Sequence, residues 1–261
     1  MKCTEQKRVL EDDVAMTESN PNENPATYTT NNLTVKRSID NCMVILRFLQ
    51  LLCENHNPNL QNFLRQQCHE DGKPKSNSFD MCSYLSKCLE QFQNLLNDQT
   101  FDVCNQLVST LVESIQGPCK ANQRALVESK VIDSSREFIA GFEKESDLIH
   151  IGFESEEDID SMGEFKYKIV TLLTSLLEGE VDMEIINRMA FSLDFNMMKD
   201  RLLTVFKRFV EKLLNKNNVV IKDLALSVLD NRLQKDSFDD SVQEAFEIYI
   251  LIHTLADSNV A

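Results

Sequence analysis

Glycine and proline are scarce in this sequence, with six and five among 261 residues. An all-β chain needs many turns, and an α/β chain needs glycine where strands meet helices. Both classes are therefore disfavoured, and long helices are indicated. Cationic residues are in deficit too: 27 Lys and Arg stand against 42 Asp and Glu, a net charge of −15. That balance opposes nucleic acid, whose binding rests on Lys and Arg contacts to phosphate, and it opposes anionic membrane surfaces. Long apolar runs are missing. The most apolar stretch, Cys42–Cys53 (CMVILRFLQLLC), contains Arg47 and Gln50, and the next, Ile248–Ile252, is shorter still. A membrane span needs about 20 apolar residues. No secretory signal peptide is read at Met1–Val14, which is charged throughout. The eight cysteines (Cys3, Cys42, Cys53, Cys68, Cys82, Cys88, Cys104 and Cys119) are too sparse for a disulfide framework. They read as buried thiols in a reducing, cytoplasmic setting.

What is present is a foldable chain of 30.0 kDa. Leu, Ile, Val and Phe make up about 30% of it, well above the roughly 20% below which chains stay disordered. Residues 1–32 read as a disordered tail, with Val9, Leu10 and Val14 followed by a polar stretch. Residues 33–261 read as one helical domain. Ile39, Met43, Leu46 and Cys53 step by a helical period, and Val44, Ile45, Phe48, Leu51 and Leu52 fill the other sides. Such a helix, apolar nearly all round, is expected at the centre of a stack. Pro58 breaks it, and Leu60, Phe63 and Leu64 start a short helix. Further helices are predicted over Phe79–Leu96, Phe101–Ile115, Asn122–Phe142, Phe165–Leu177, Met183–Leu193, Met197–Leu214, the Val219–Leu233 region and Val242–Leu255. Phe101–Ile115 has the clearest pattern and is stopped by Gly117-Pro118. Residues 143–164 hold nine acids and one Lys without sustained period, and read as a solvated acidic linker or insert. The expected fold is all-α: a multi-helix bundle or armadillo-like stack of eight to ten helices.

No constellation for chemistry emerges. Cys53-x2-His56 and Cys68-His69 bring thiols near imidazoles, but tetrahedral zinc needs four converging ligands and no Cys-x2-Cys pair exists. The four histidines form no triad order, and six scattered glycines build no phosphate loop. Residues 155–164 are acidic but lack the ligand order of a calcium-binding loop. No cofactor and no enzyme activity is expected. Lys207, Arg208, Lys212 and Lys216 form a small basic stripe on one helix, read as solvated.

Four stretches share a wider pattern. Leu46–Arg65 reads LRFLQLLCENHNPNLQNFLR, Leu111–Gln123 reads LVESIQGPCKANQ, Val170–Gly179 reads VTLLTSLLEG, and Phe246–Asn259 reads FEIYILIHTLADSN. In this order they resemble the RIH-associated domain, the cytosolic helical region shared by inositol trisphosphate and ryanodine receptors, and the last stretch is closer to the former branch. The resemblance runs from about Ile39 to Asn259. It implies an α-helical cytosolic module lying between ligand-binding region and pore. Such a module relays conformational change in a tetrameric calcium-release channel at the endoplasmic reticulum. No ligand-binding trefoil or pore has a counterpart here, so the chain is expected to be a fragment of such a channel. The alternative is a free-standing helical scaffold that binds a protein partner.

On this resemblance the motif residues are expected to pack the fold or contact other channel modules. In the first stretch these are Phe48, Leu51, Leu52, Cys53, Asn55, His56, Asn57, Gln61, Asn62, Leu64 and Arg65. In the second they are Gln116, Gly117, Pro118, Cys119, Asn122 and Gln123, and in the third Leu176, Leu177, Glu178 and Gly179. In the last they are Tyr249, Ile250, Leu251, His253 and Leu255. Phe48, Leu51, Leu52, Phe63 and Leu64 are expected to pack one helical hairpin. Asn55, His56 and Asn57 stand where polar side chains cap helix ends, and Arg65 is placed to pair with an acid of a neighbouring helix.

Overall fold

The computed structural model describes residues 25–142, 145–180, 182–217 and 240–258. Eleven helices occur among them: α1 (Pro25–Cys53), α2 (Pro58–Arg65), α3 (Met81–Leu95), α4 (Phe101–Ile115), α5 (Lys120–Glu128), α6 (Val131–Ala140), α7 (Glu145–His150), α8 (Glu156–Ser175), α9 (Met183–Ser192), α10 (Phe195–Asn217) and α11 (Asp240–Ser258). No strand is present among the described residues, and the one β-bridge joins Cys68 to Pro74 in the α2–α3 connection. The helix expected over Val219–Leu233 and the first 24 residues of the expected tail lie outside the described residues. The rest of that tail is helical, because α1 starts at Pro25. A proline suits a first helical position, and extending an existing helix costs little once it is nucleated.

The helices lie in two rows of successive neighbours. One row runs α1, α4, α8, α11, α10; the other runs α2, α3, the α5–α6 pair, α9. The core is built on α4, not on α1 as the sequence suggests. Phe101, Val103, Cys104, Leu107, Val108, Leu111, Val112 and Ile115 are all buried, and α1, α2, α3, α5 and α8 all pack against this helix. Among the described side chains of α1 only Leu46, Leu49 and Cys53 are buried, while Val44, Ile45, Phe48 and Leu51 are exposed. An apolar circumference does not distinguish a central helix from an outer one whose far side awaits a neighbour. Two hydrogen bonds fix α1 on α4. Thr110 Oγ1 donates to the Leu46 carbonyl at 3.1 Å, and Gln106 Nε2 donates to Gln50 Oε1 at 2.7 Å.

The acidic segment is not a solvated linker. Its described part, 145–164, forms α7 and the start of α8, and Leu148, Ile151, Phe153 and Met162 are buried. Phe153 meets Phe101 edge-on at 4.9 Å; Phe165 lies 5.5 Å from Phe101 and 5.3 Å from Phe138. Edge-to-face rings of this kind add to their area burial. The acids serve the helix start. Ser155 Oγ accepts from the Asp158 amide at 3.1 Å, and Asp158 Oδ2 accepts from the Ser155 amide at 2.9 Å, a closed capping box. Glu157 and Asp158 then sit in the first turn, where the helix dipole favours negative charge. The bonds from Ser155 hold the Asp158 carboxyl below the usual carboxylate range.

Two buried cations close the remaining seams. Lys166, 2% exposed, donates from Nζ to the carbonyls of Ile139 (3.2 Å) and Gly141 (2.6 Å), capping the end of α6. Arg201 of α10 reaches Glu244 of α11 through Nε (2.8 Å) and Nη2 (2.7 Å), with both side chains buried. Asn122–Phe142, expected as one helix, is broken into α5 and α6 by Lys130, which takes the left-handed φ of 67°.

Leu111→Asp should unfold or aggregate the protein. It places a carboxylate inside the most enclosed helix at a cost of several kcal/mol, against a total stability of about 5–15 kcal/mol. Thermal melting followed by circular dichroism checks this, and a parent-like melt would mean that the face is not buried. The thiols give a second expectation. Burial pushes Cys53 and Cys82 up to about 12 and raises Cys104 as well, while Cys42 and Cys68 are exposed. A thiol reagent followed by mass mapping should modify Cys42 and Cys68 first, and the buried three only with unfolding. Since the folded chain holds those protons, their stabilisation is full below the ordinary thiol pKa of about 8.5 and fades as pH rises towards the folded values. The urea midpoint should fall across that alkaline window.

Candidate functional site

Helix α4 ends inside the protein, where its last carbonyls need donors. Gln61 of α2, fully enclosed, supplies two: Nε2 donates to the carbonyls of Glu113 and Gln116, both at 2.8 Å. Asn122 of α5 is 0% exposed. Its Nδ2 donates to the carbonyls of Ser114 (2.8 Å) and Gln61 (2.9 Å), closing the loop between α4 and α2. Its Oδ1 accepts from Arg65 Nε at 3.2 Å. Arg65 is thus held by an amide oxygen, and not by the acid that the sequence suggests. Carboxamides suit this place because one group both donates and accepts without a buried charge.

The same device binds α8. Gln123 Nε2 donates to the Ser175 carbonyl at 2.8 Å, and Gln116 Nε2 reaches Ser175 Oγ at 3.3 Å. Lys120 Nζ donates to the Glu178 carbonyl at 2.7 Å, and the Glu178 carboxylate accepts the Gly117 amide at 3.1 Å. Leu176 is buried and Leu177 half-buried beneath this turn. At the rim Arg124 and Asp182 pair at 2.8 Å. Arg124's hydrogen bond holds the Asp182 carboxyl low.

Three turns interlock here. The α1–α2 turn places Asn55 and His56 in the left-handed region, at φ 60° and 54°. Asn57 caps α2 by accepting from the amides of Asn59 (3.2 Å) and Leu60 (3.3 Å), with Pro58 in the first helical turn. Gly117 has φ 91°, and a Cβ there would fall 2.3 Å from the His56 Cβ. Gly179 has φ 82°, and a Cβ there would fall 2.3 Å from Pro118 Cγ. Only glycine meets both the dihedral and the space at these two positions. Cys119 is buried between the turns, with Sγ 3.9 Å from Asn62 Oδ1.

The first three motif stretches thus meet in one node, although they are far apart in sequence. The fourth does not join it. On α11 Leu251 and Leu255 are buried, while Tyr249, Ile250 and His253 are exposed, with His253 Nδ1 3.0 Å from Asp257. In the hairpin Leu64 and Cys53 are buried and Leu52 is half-buried, but Phe48, Leu51 and Phe63 point outward. The hairpin is closed by Gln61 and Asn57, and by α4 beneath it, so those three side chains are not needed between its arms. Cys53 is buried and His56 lies in the exposed turn. Among the described residues no group of three His, Cys, Asp or Glu side chains is arranged to hold a metal ion.

Residues 36–139, from within α1 to the end of α6, match the family described as RyR and IP3R Homology associated. The inositol 1,4,5-trisphosphate receptor itr-1 of Caenorhabditis elegans is 40% identical over 87 residues, 31% of this chain and 3% of that protein. The stretches Val170–Gly179 and Phe246–Asn259 lie beyond the family match, so for them the resemblance rests on their own residues.

The node should carry a measurable share of stability. Asn122→Leu removes two donors and leaves buried carbonyls unpaired, a loss of about 3 kcal/mol that should lower Tm by about 6–12 °C. Asn59→Leu, exposed at the start of α2, should shift it by less than about 2 °C. Differential scanning calorimetry of the two variants makes the comparison, and equal shifts would deny the node its role.

Proposed function

With residues 36–139 matching the RyR and IP3R homology family, we propose that this chain is a helical module of a ligand-gated calcium-release channel. On this reading it relays conformational change between ligand-binding region and gate, and the pore and ligand site belong to other modules. Its place is the cytosolic face of the endoplasmic reticulum, among the other modules of a tetramer. The observation that carries this reading is the convergence of three motif stretches on one buried polar node. A relay needs elements that move as a body. Packed interiors transmit displacement because they have little free volume, and a fully bonded polar network is stiff and geometrically specific. Here α2, α4, α5 and α8 are bonded end to end through Gln61, Asn122, Gln123 and Glu178, so a push on any one reaches the other three. No helix among the described residues is long and apolar enough to cross a membrane, which fits a module that borrows its pore from elsewhere.

Two measurements test this. An antibody to residues 60–72 should detect a membrane-associated polypeptide many times larger than 30.0 kDa; a single soluble band at that mass would favour the free-standing scaffold. A chimeric receptor carrying this module should release calcium on ligand addition. Its Asn122→Leu form should bind ligand as before but release at least about tenfold less. Unimpaired release would remove the node from the relay.

A further inference from the structure

We propose that Ser78 is a phosphorylation site, and that its hydroxyl is the fastening a phosphate undoes. Residues 66–80 join α2 to α3 without forming a helix. Connections this long within a compact domain are uncommon and are often functional. Residues 68–77 of this strap are all exposed, and Gln67 closes its base. The Gln67 amide donates to Ser78 Oγ at 2.9 Å, and Ser78 Oγ donates back to Gln67 Oε1 at 3.3 Å. Gln67 Oε1 also accepts from the Phe79 amide at 2.7 Å, and Nε2 donates to the carbonyls of Phe79 (3.1 Å) and Phe63. The Gln67 carbonyl accepts from the Lys75 amide at 2.8 Å. Ser78 is half-buried under these bonds, and local opening of a surface strap is enough to present it.

Charge and spacing select this hydroxyl. Residues 72–79 (GKPKSNSF) carry Lys73 and Lys75 and no acid, in a chain whose net charge is −15. Kinases choose among serines by the charge pattern around them, and a cation three places before the acceptor suits a basic-directed one. Lys or Arg stands at that place before Ser76, Ser78, Thr171 and Thr204. Thr171 and Thr204 lie inside α8 and α10, whose backbone is committed to the helix. Of the two strap serines only Ser78 is followed by a large apolar residue, Phe79, which is 51% exposed. In the transfer, the bond from the γ-phosphorus of ATP to ADP breaks and the bond to Ser78 Oγ forms. The hydroxyl proton leaves through the catalytic carboxylate of the kinase. The product has no hydrogen to give Gln67 Oε1. It sets a charge of about −1.5 to −2 against that oxygen, with Asp80 two residues further on. The strap then lifts from the end of α2 and the start of α3. None of this depends on the channel reading.

The test incubates the full chain with magnesium-ATP and the catalytic domain of protein kinase C, a basic-directed kinase. One phosphate per chain should appear, mapped to Ser78 by tandem mass spectrometry. Lys75→Ala should slow incorporation by at least about tenfold, and Ser76→Ala should leave it unchanged. Ser78→Ala should abolish it, while Ser78→Thr, which keeps a hydroxyl, should still be modified. Gln67→Ala, which frees the hydroxyl, should be modified faster than the parent. In the phosphorylated chain the Gln67 and Phe79 amides should exchange hydrogen at least about tenfold faster. The amides of α4 should keep the parent rate, which separates a lifted strap from general unfolding. Circular dichroism accompanies each variant. Absent incorporation, phosphate on Ser76, or parent-like modification of Lys75→Ala overturns the proposal. So does unchanged exchange at Gln67 and Phe79, which denies the hydroxyl its fastening role. Because all of this is read on the isolated chain, its failure leaves the chimeric receptor result standing.

Discussion

Helix α4 ends inside the protein, so its last carbonyls cannot turn to water. Every buried acceptor of that kind must find a donor, and the neighbouring turns are shaped to bring them. Gln61 reaches Glu113 and Gln116, and Asn122 reaches Ser114. To do so α2 must lie across the end of α4, and α5 must start immediately after Pro118. Gln123, next in α5, is then aimed at the end of α8. The arrangement of four helices follows from terminating one of them in a dry place.

The sequence discloses α4 well, because a helix buried along its length writes its period in apolar residues. It discloses the hub residues only as a motif. Gln61, Asn122 and Gln123 are polar, and a polarity pattern assigns such residues to the surface. Their burial follows from satisfied amides, which no hydrophobic count reveals. Lys166 is hidden in the same way, since its charge meets the carbonyls of Ile139 and Gly141. The acidic segment carries a legible signal beneath its charge. Ser155-x-x-Asp158 is a capping signal placed before Met162, Phe165 and Ile169, but the density of acids masks it. On α1 the apolar positions outnumber those the fold needs, and pattern alone could not assign Val44 and Phe48 to the outside.

That surplus has a structural meaning. Among the described residues, the row α1–α4–α8–α11–α10 begins and finishes on helices with exposed apolar side chains, Val44 and Phe48 on α1 and Leu203 and Phe206 on α10. Stacked helical arrays that stand alone close both ends with polar faces.

The wide spacing of the hub's partners sets an order of events in synthesis. Gln61 waits for carbonyls 52 and 55 positions later, and Gln123 for one a further 52 on. While the chain emerges, residues 58–65 can coil but have nothing to close against until Gln116 has appeared. The second closure awaits Glu178. Domains form as units during translation at about 5–20 residues per second, so this one passes several seconds with α4 made and the side that α8 covers still open. Closing long intervals is also what slows folding. A nascent chain held at that stage is the form most in need of a chaperone.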